Sequence, residues 1–366
     1  MTARRLAYLL LAALPLTGCL SAGPGPAAVV VERGAFNEAI QRTNAEQLLL
    51  NIVRLRYVDP PLFLELSSIA SQLEVELEGS LDANLLEARN DQLGIGGSIT
   101  TTRAPTVSYT PLQGEQFVRQ LLTPIDVRTL VLLYHSGWSI ERLLRLTVQR
   151  LGPLRNAPRA SGPRPTEAPD YALFLRTVHH LRDLQRAGRL ELGESAESGL
   201  EGRQQLVFQA DLPLDDDAED PALLVREELG LPLDVERIAL DTSLVPSDTG
   251  YTLVPRSLIA MLAYASQAVE VPPEDFAAGK VNVTRAADGS PFDWNPVFEG
   301  LFEVHWASTR PQDAYIAVRY RGRWFYIADD DIESKATIVL LDQLFALQGG
   351  TRSSSTPLLT IPIGGS

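Results

Sequence analysis

The sequence predicts an α+β fold, in which helices and antiparallel β-hairpins occupy separate runs of the chain. Apolar residues recur at helical spacing over residues 36–57, which predicts one long helix near the start. Apolar and polar residues alternate strictly over 72–78, which predicts a strand with one hydrated face. Residues 314–320 and 323–327 are rich in aromatic and β-branched types and flank a two-residue Arg-Gly turn, which predicts a hairpin.

The N-terminal half is predicted to contain a helix, a hairpin and three short helices. The first helix ends at residues 59–61, Asp-Pro-Pro, because proline cannot continue it. The first strand is followed by a second over 98–110. The glycines of 94–97 fit a flexible connection between the two strands, and this stretch lacks the lysine of a phosphate-binding loop. Residues 114–152 form three helical pieces, and Ser139 caps the last of them.

A proline-rich stretch divides the chain. Residues 153–169 hold five prolines among glycine and serine, which predicts a linker. This division gives an N-terminal α+β domain at 35–152 and a C-terminal α+β domain at 170–366. Residues 19–34 contain small residues, glycine and proline, and are predicted to be a tether.

The C-terminal half is predicted with uneven clarity. Residues 193–250 are acidic and show little periodicity beyond a strand at 206–208 and a short helix at 221–229. The other predicted elements are a helix after Asp170, a strand at 189–192, a helix at 256–269, an alternating stretch at 301–307, the hairpin already described, a helix at 332–347 and a last strand at 356–363.

The start of the chain has the three-part form of an export leader. Arg4 and Arg5 supply positive charge, residues 6–14 are apolar without a break, and Leu-Thr-Gly at 16–18 precedes Cys19, the only cysteine. The apolar run is too short to cross a bilayer, which takes about 20 residues. The arrangement resembles the signal peptide of bacterial lipoproteins. The alternative is an ordinary secretory peptide in which a cysteine follows glycine.

The resemblance implies a soluble body held behind a lipid anchor. Removal of residues 1–18 would leave Cys19 as the first residue, carrying a diacylglycerol and an N-acyl chain such as palmitate. Each buried methylene contributes about 0.8 kcal/mol, so two or three chains hold a protein almost permanently. Leu20 follows Cys19, and in Gram-negative lipoproteins the absence of aspartate there favours the outer membrane. We therefore expect a lipid-anchored protein at the outer membrane, facing the periplasm.

The charge balance excludes one class of partner. The chain has 46 acidic and 32 basic residues and a formal net charge of −14. Nucleic-acid binding needs a cationic surface, so we expect no nucleic-acid partner. With 45% hydrophobic residues and four tryptophans, the chain is predicted to be globular. A body of this size can bury a sizeable core without disulfides.

Several short stretches carry a further resemblance when they are taken together. They are QLLLNIVRLRY at 47–57, YTPLQG at 109–114, LLTPI at 121–125, WFYI at 324–327 and ESK at 333–335. As a set they resemble a family of uncharacterised proteobacterial lipoproteins over most of the chain. The resemblance implies the compartment and the approximate extent, and it implies no activity, ligand or catalytic residue.

The sequence contains no recognisable catalytic set. It lacks the G-x-S-x-G elbow of the hydrolases, and it has no cysteine after residue 19. His305 lies in a strand-like stretch and is a candidate general base, although a single histidine on a strand is more often structural. His179 and His180 are adjacent on a predicted helix, so they point about 100° apart and are poorly placed to share a metal ion.

Two acidic clusters are candidates for calcium binding or for ordinary structure. Asp215, Asp216 and Asp217 offer oxygen ligands, but their spacing lacks the glycine of an EF-hand, which favours a solvated loop. Residues 329–331 precede the last helix, where carboxylates accept from free N–H groups and oppose the helix dipole. We expect neither a metal ion nor another cofactor.

Two functions of different classes remain open. The favoured one is a non-enzymatic interaction or assembly protein of the cell envelope. The other is a periplasmic hydrolase acting on envelope material, with His305 and an acidic cluster in a deep polar pocket. Exposed arginine-rich faces are the predicted contacts of an envelope protein partner, and the alternative role of these arginines is pairing with the many carboxylates: Arg54, Arg56, Arg319, Arg321 and Arg323. The sequence leaves the oligomeric state open.

Overall fold

The computed structural model describes residues 26–82, 94–194, 204–208, 220–232, 235–241 and 251–348. Over these ranges it confirms the α+β class. Within the same ranges, no helix combines the length and the apolar character needed to cross a bilayer. Three sequence predictions lie outside the described residues, namely those on Cys19, on Asp215 to Asp217 and on the last strand at 356–363.

The described ranges contain ten α-helices. They are α1 (Pro26–Arg56), α2 (Glu115–Leu122), α3 (Val127–His135), α4 (Ile140–Thr147), α5 (Ala172–Arg186), α6 (Pro221–Leu229), α7 (Leu258–Ala265), α8 (Pro273–Ala277), α9 (Asn295–Phe298) and α10 (Ile332–Gln348). Short 3-10 segments lie at Pro158–Ser161 and Ser266–Ala268.

Side-chain caps explain where several helices begin. The side chain of Asp126 accepts a backbone N–H at the start of α3, and Ser139 does so at the start of α4, as predicted. Asp220 and Ser257 cap α6 and α7 in the same way. Gly230 ends α6 at a φ of 68°, a left-handed conformation that glycine adopts without steric conflict.

Eleven strands lie in the described ranges and form three sheets. They are β1 (Leu64–Asp82), β2 (Gly94–Pro111), β3 (Val148–Leu151), β4 (Leu154–Arg155), β5 (Leu190–Glu194), β6 (Gln204–Phe208), β7 (Arg237–Asp241), β8 (Tyr251–Pro255), β9 (His305–Ala307), β10 (Ala314–Tyr320) and β11 (Arg323–Ala328). The sheets have the orders β1-β2, β10-β11-β9 and β4-β3-β8-β7-β6-β5. Neighbouring strands are antiparallel except β7 and β8, which are parallel.

A single hydrophobic core runs through the described body. Nearly every residue of α7 is buried, and α1 packs against it. On α1, Leu49, Ile52 and Val53 have no exposed surface. Strand β10 and helix α10 also pack against α1. The first helix is therefore part of the core from Ala45 onward, and its earlier residues lead away from the body.

Arg256 joins the two halves of the chain. Its side chain is completely buried, and the guanidinium stacks 3.9 Å from the ring centre of Tyr264. The guanidinium donates to the carbonyl oxygens of Arg145, Leu146, Val148 and Asn156. Two of these carbonyls belong to the last turn of α4, where the helix dipole favours a cation. Burial lowers the pKa of Arg256 to about 10, so the group stays charged at neutral pH.

Part of the predicted linker is packed into the body. Within residues 153–169, Leu154 pairs with Leu151, and Ala157 and Ala160 are completely buried. Strand β3 from the N-terminal half pairs with β8 from the C-terminal half, so the six-stranded sheet crosses the predicted boundary. Proline and glycine correctly indicated an irregular backbone, but composition does not report whether such a backbone is buried.

Other boundaries differ from the prediction. Helix α1 begins at Pro26, so residues 26–34 of the predicted tether are helical. The helix predicted to run to residue 151 ends at Thr147, and β3 takes its place because it pairs with β8. Strand β7 lies in the stretch left largely unassigned. The two hairpins, β1-β2 and β10-β11, occur where the sequence predicted them.

Candidate functional site

The most extended feature of the described chain is the two-stranded sheet of β1 and β2, which we call the ribbon. Its strands pair from Leu64 opposite Pro111 to Asp82 opposite Gly94. At about 3.3 Å per residue, the ribbon is about 60 Å long. Among the described elements, β1 and β2 pack extensively only with each other. Each strand is therefore an edge strand of a two-stranded sheet, with one side that no other described strand extends.

A single bulge decides which positions share a face of the ribbon. The register shifts between Leu66 and Ser68, so residue 67 is the extra one. Because successive residues alternate between faces, one extra residue exchanges the two faces for the rest of the strand. The apolar positions of β1 thereby share one face, called the apolar face, to which β2 adds Arg103 opposite Leu73 and Thr101 opposite Val75: Leu64, Leu66, Ile69, Leu73, Val75, Leu77 and Leu81. The other face, called the acidic face, holds Glu74, Glu76 and Glu78 opposite Thr102, Thr100 and Ser98.

Two amide side chains of α1 clamp the base of the ribbon. Asn51 accepts the backbone N–H of Leu62 and donates to its carbonyl, both at 2.9 Å. Gln47 does the same with Leu64, at 2.6 and 3.2 Å. The two amides are one turn apart on α1, so the helix offers the chain the donor and acceptor pairs of a neighbouring strand. Neither amide was a predicted site residue, although a buried asparagine within an apolar helix face signals a polar partner.

Aromatic packing holds the chain between the two clamped residues. Phe63 is 4% exposed and contacts Phe117 of α2 and Phe345 of α10, at ring-centre distances of 5.6 and 5.2 Å. Its neighbours Leu62 and Leu64 are 42% and 36% exposed. Leu64 is the first position of the apolar face, so this face is open to solvent at the base of the ribbon.

The clamp also sets the direction in which the ribbon leaves the body. The chain passes Asn51 at Leu62, two residues before β1, and Gln47 at Leu64, so β1 starts towards the N-terminus of α1. Most described positions of α1 before Ala45 are exposed. From Gln47 back to Pro26, the helix covers about 31 Å at 1.5 Å per residue. The first residues of β1 therefore run antiparallel to α1.

Arg321, one of the arginines predicted to contact a partner, lies beside Tyr57, the residue that follows α1. Arg321 lies in the β10-β11 turn and donates to Asp59 at 2.8 Å, and its guanidinium is 4.9 Å from the ring centre of Tyr57. The Tyr320 hydroxyl also donates to Asp59. The hydrogen bonds from Tyr320 and Arg321 lower the pKa of Asp59, which keeps it ionised at neutral pH.

A second carboxylate lies on the other side of Tyr57. Asp275 is 6% exposed and accepts from Lys280 at 2.6 Å and from the Tyr57 hydroxyl at 2.8 Å. The hydrogen bond from Lys280 is the largest cause that lowers the pKa of Asp275. Burial, followed by the hydrogen bond to Asp275, raises the pKa of Tyr57. The neutral tyrosine thus links the end of α1 to α8.

The five arginine candidates do not form one exposed surface. Arg56 is 8% exposed, which corrects the expectation of an exposed face there; it donates to a backbone carbonyl at 3.0 Å, and burial lowers its pKa to about 10. Arg323 pairs with Glu274 at 3.2 Å. Arg54 is half-buried in the last turn of α1, and Arg319 is exposed on β10. The contacts of Arg56, Arg321 and Arg323 connect parts of the body to one another.

His305, the candidate base of the hydrolase hypothesis, lies on β9 at the edge of the three-stranded sheet. Its side chain is 32% exposed, and Nδ1 lies 3.6 Å from a carboxylate oxygen of Glu270 and 3.8 Å from one of Glu303. Its ring centre is 5.6 Å from that of Tyr326. These described neighbours are acidic and aromatic groups on a half-exposed edge, and this geometry gives the hydrolase hypothesis no support.

The acidic residues before α10 act as the sequence predicted. Asp331 accepts the backbone N–H of Ser334 at 2.9 Å, and Asp329 pairs with Lys335 at 2.8 Å. In the described part of the chain, no three or more His, Cys, Asp or Glu side chains are grouped so that they could hold a metal ion. The carboxylates of 329–331 thus stabilise the start of the last helix.

A small cavity borders α3, α4 and the six-stranded sheet. Its volume is about 10 Å³ and its lining is valine, leucine and isoleucine. A space of this size holds one water molecule at most, and an apolar lining offers that water no hydrogen bond.

Comparison with family models, curated proteins and solved structures finds no match to this chain. Function is therefore inferred from the ribbon, its clamp and the sequence.

Proposed function

We propose that this protein is an outer-membrane-anchored periplasmic lipoprotein that acts as a non-enzymatic interaction or assembly protein of the cell envelope. The clamped ribbon is the observation that carries this proposal. An isolated two-stranded hairpin is marginally stable at best in water and needs further strands or a packed face. A ribbon about 60 Å long that no third strand extends in the described part of the chain therefore requires a partner surface.

A lipid on Cys19 would orient this surface. Cys19 is separated from the start of α1 at Pro26 by a segment that spans at most about 25 Å when fully extended. Helix α1 then leads to the body, and the ribbon leaves its base back along α1. Anchored copies would thus present their ribbons on the same side of the body, towards the membrane. This orientation supports contact with an envelope component.

The attachment of the ribbon supports a mechanical role in assembly. Asn51 and Gln47 fix its base to α1, and Tyr57 and Asp59 fix the end of α1 to α8 and to the β10-β11 turn. A force or a contact on the ribbon is therefore transmitted to a packed body. A flexible loop would not transmit it, because its backbone moves independently of the core.

The anchor is tested by metabolic labelling with a clickable palmitate analogue. We expect label on the wild type, no label on Cys19→Ala, and loss of the Cys19→Ala variant from the outer-membrane fraction. A wild type that takes up no label would refute the anchor and the proposed location.

The interaction role is tested by photo-crosslinking in intact cells. A benzoylphenylalanine residue is placed at Leu77 on the apolar face or, as the matched control, at Thr100 on the acidic face. We expect adducts heavier than the monomer from position 77 and few from position 100. If both positions give only monomer in cells where the anchor is labelled, the ribbon is not an interaction surface.

A further inference from the structure

We infer that the C-terminal segment of this chain, residues 356–363, packs along the outer face of α10. This face is defined by five positions spaced four, three, four and four residues apart: Ile332, Ala336, Val339, Gln343 and Leu347. Because an α-helix has 3.6 residues per turn, these positions lie on one side of α10. The inference goes beyond the proposed function, because it needs neither the lipid anchor nor an envelope partner.

The outer face is apolar where the solvent side of a helix is normally polar. Ile332, Val339 and Leu347 are 72%, 43% and 52% exposed, whereas Leu341 and Leu344 on the opposite side of α10 are completely buried. The three charged residues of α10, at positions 333, 335 and 342, do not belong to the five positions of the outer face. A helix that is apolar on all sides is normally buried on all sides. The outer face therefore has the composition of a covered surface.

The described body borders the outer face without covering it. Trp138 donates its indole N–H to the side chain of Gln343 at 3.0 Å. On the same flank of α10, Arg142 donates to Thr337 at 2.6 Å and pairs with Glu333. Ile332, Val339 and Leu347 keep the exposure given above in spite of these neighbours. A surface that covers the outer face must therefore come from outside the described residues.

The size of the outer face favours an occupant that is attached to this chain. From Ile332 to Leu347 the face is about 22 Å long at 1.5 Å per residue, and a helix about 10 Å wide gives it an area of about 220 Å². Two copies packed through this face would bury about 440 Å², well below the roughly 1,200 Å² of a specific interface between separate proteins. A tethered segment needs less area, because the tether raises its effective concentration to about the millimolar range.

The C-terminal segment begins beside this face and has the length to cover it. The described chain ends at Gln348, one residue after the last position of the outer face. Residues 349–355, Gly-Gly-Thr-Arg-Ser-Ser-Ser, are of the types that form turns, and seven residues are more than a reversal of the chain requires. The eight residues of 356–363 then cover about 26 Å when extended, compared with about 22 Å for the face. The segment can therefore return from Leu347 to Ile332.

The composition of the C-terminal segment suits packing on a helix. Residues 356–363 read Thr-Pro-Leu-Leu-Thr-Ile-Pro-Ile and contain no charge, so the segment loses no hydrated charge when it is buried. The sequence predicts extended backbone here. Pro357 and Pro362 have no backbone N–H, which makes the segment a poor partner in the interior of a sheet. Its leucines and isoleucines can instead pack against the side chains of the outer face.

The first experiment measures how fast a single cysteine on the outer face reacts with N-ethylmaleimide. The lipid-free chain from residue 19 onward carries Cys19→Ser together with Val339→Cys, or with Val118→Cys as the matched control. Val118 lies on α2 and is 48% exposed, close to the exposure of Val339. We expect position 339 to react at least about tenfold more slowly than position 118, since the tethered segment covers only the former. Equal rates overturn the inference.

A change in the C-terminal segment shows whether that segment causes the protection. Adding Leu359→Asp and Ile361→Asp should release the segment, because ionised carboxylates are costly to bury. We expect the rate at position 339 to rise to that at position 118, and the rate at position 118 to stay the same. Circular dichroism checks that the body remains folded. Protection of position 339 that survives these substitutions overturns the inference.

The second experiment tests direct contact by disulfide formation. With Cys19→Ser, the pair Val339→Cys and Leu359→Cys should form a disulfide within one chain under mild oxidation, because a disulfide needs Cβ atoms about 4 Å apart. The control pair, Val118→Cys and Leu359→Cys, should stay reduced under the same conditions. Mass spectrometry of the digested monomer identifies the joined peptides. A disulfide with position 118 and none with position 339 would place the segment on α2 and overturn the inference.

Two further outcomes would assign the outer face to another occupant. Protection of position 339 that increases with protein concentration would assign it to a second copy, and protection found only in intact cells would assign it to an envelope partner. Both outcomes overturn the inference, and the second leaves the proposed function standing. An unlabelled anchor together with a protected position 339 in the lipid-free chain would remove the proposed function and leave the inference.

Discussion

Replacing Asn51 with aspartate tests the clamp by changing one hydrogen-bonding group. The side chain of Asn51 accepts from the N–H of Leu62 and donates to its carbonyl, each at 2.9 Å. Aspartate can keep the first bond, but it sets a carboxylate oxygen against the carbonyl oxygen. Asn51 is 1% exposed, so the ionised carboxylate would also lose most of its hydration. We therefore expect the pKa of the introduced carboxyl to be raised in the folded variant.

The magnitude follows from the bonds that are lost. Leaving a buried hydrogen-bonding group unpaired costs about 1–3 kcal/mol, so Asn51→Ala should lower the free energy of unfolding by about 2–4 kcal/mol. Asn51→Asp should lose a similar amount at pH 7.5. The introduced carboxyl has a higher pKa in the folded state than in the unfolded state. The loss of stability is therefore complete above the folded-state pKa and disappears as the pH falls below the unfolded-state pKa, because the bound proton restores a hydrogen-bond donor.

The assay is urea unfolding followed by tryptophan fluorescence at pH 7.5 and 4.5, with hydrogen exchange at the amides of Leu62 and Leu64 to locate the effect. Gln47→Glu is the control, because its contacts with Leu64 are exposed and should contribute less than about 1 kcal/mol. An Asn51→Asp variant as stable as the wild type at pH 7.5 would refute the clamp. A deficit relative to the wild type that does not shrink at pH 4.5 would refute the pKa argument.

Three further results are expected from substitutions in the body. Arg256→Met should lower the free energy of unfolding by about 4 kcal/mol, measured by urea unfolding, because it leaves buried carbonyls without their donor. Arg321→Ala should lower it by about 1 kcal/mol, since its pairs with Asp59 and the neighbouring rings are half-exposed, whereas the exposed Arg319→Ala should change it by less than about 0.5 kcal/mol. The pKa of Asp59 is lowered in the folded state, so the contribution of Asp59 to the free energy of unfolding is present above its unfolded-state pKa and is lost as the pH falls through its folded-state pKa. Asp59→Asn should therefore make the free energy of unfolding less dependent on pH on the acid side. An acid side as steep as that of the wild type would contradict this prediction.

Local signals in the sequence were sufficient for the elements that depend on near neighbours. Ser139 predicted the start of α4 because the cap bond joins residues three apart. The carboxylates of 329–331 predicted the start of α10 for the same reason. The turn between β10 and β11 followed from two residues flanked by aromatic and β-branched types. Each of these features depends on interactions between residues only a few positions apart in the chain.

Long-range pairing could not be obtained in the same way. Strand β3 ends a stretch with helical spacing, and it becomes a strand because β8, about 100 residues later, supplies its hydrogen bonds. Part of the proline-rich segment, around Leu154 to Ala160, packs into the body, where Arg256 donates to the carbonyl of Asn156. Neither the strand at β3 nor the packing of the proline-rich segment produces a periodicity or a composition that the sequence could reveal, because both depend on contacts with distant parts of the chain.

The arginine candidates show how sequence proximity misleads at turns and on helices. Arg54 and Arg56 are two positions apart on α1, so they point about 200° apart, and one is half-buried while the other packs into the body. In the register of the hairpin, Arg319 lies opposite Trp324 and Arg323 lies opposite Tyr320. Adjacent positions of a strand point to opposite faces, so the two arginines are on opposite faces of the hairpin. The turn reverses the chain, and alternation counted along the sequence no longer reports a common face.

In the ribbon, too, positions counted along the sequence change face, but here the sequence contains a sign of the change. Leucines at 62, 64 and 66 alternate at even positions, and the next apolar residues, from Ile69 to Leu81, alternate at odd positions. Such a change of phase is compatible with two separate strands, and it is equally the pattern of one strand with an extra residue. Pairing with β2 distinguishes the two, because the partner strand keeps a single phase from Ile95 to Tyr109 across the bulge. Which positions share a face is thus a property of both strands together, because the partner strand fixes the register on each side of the extra residue.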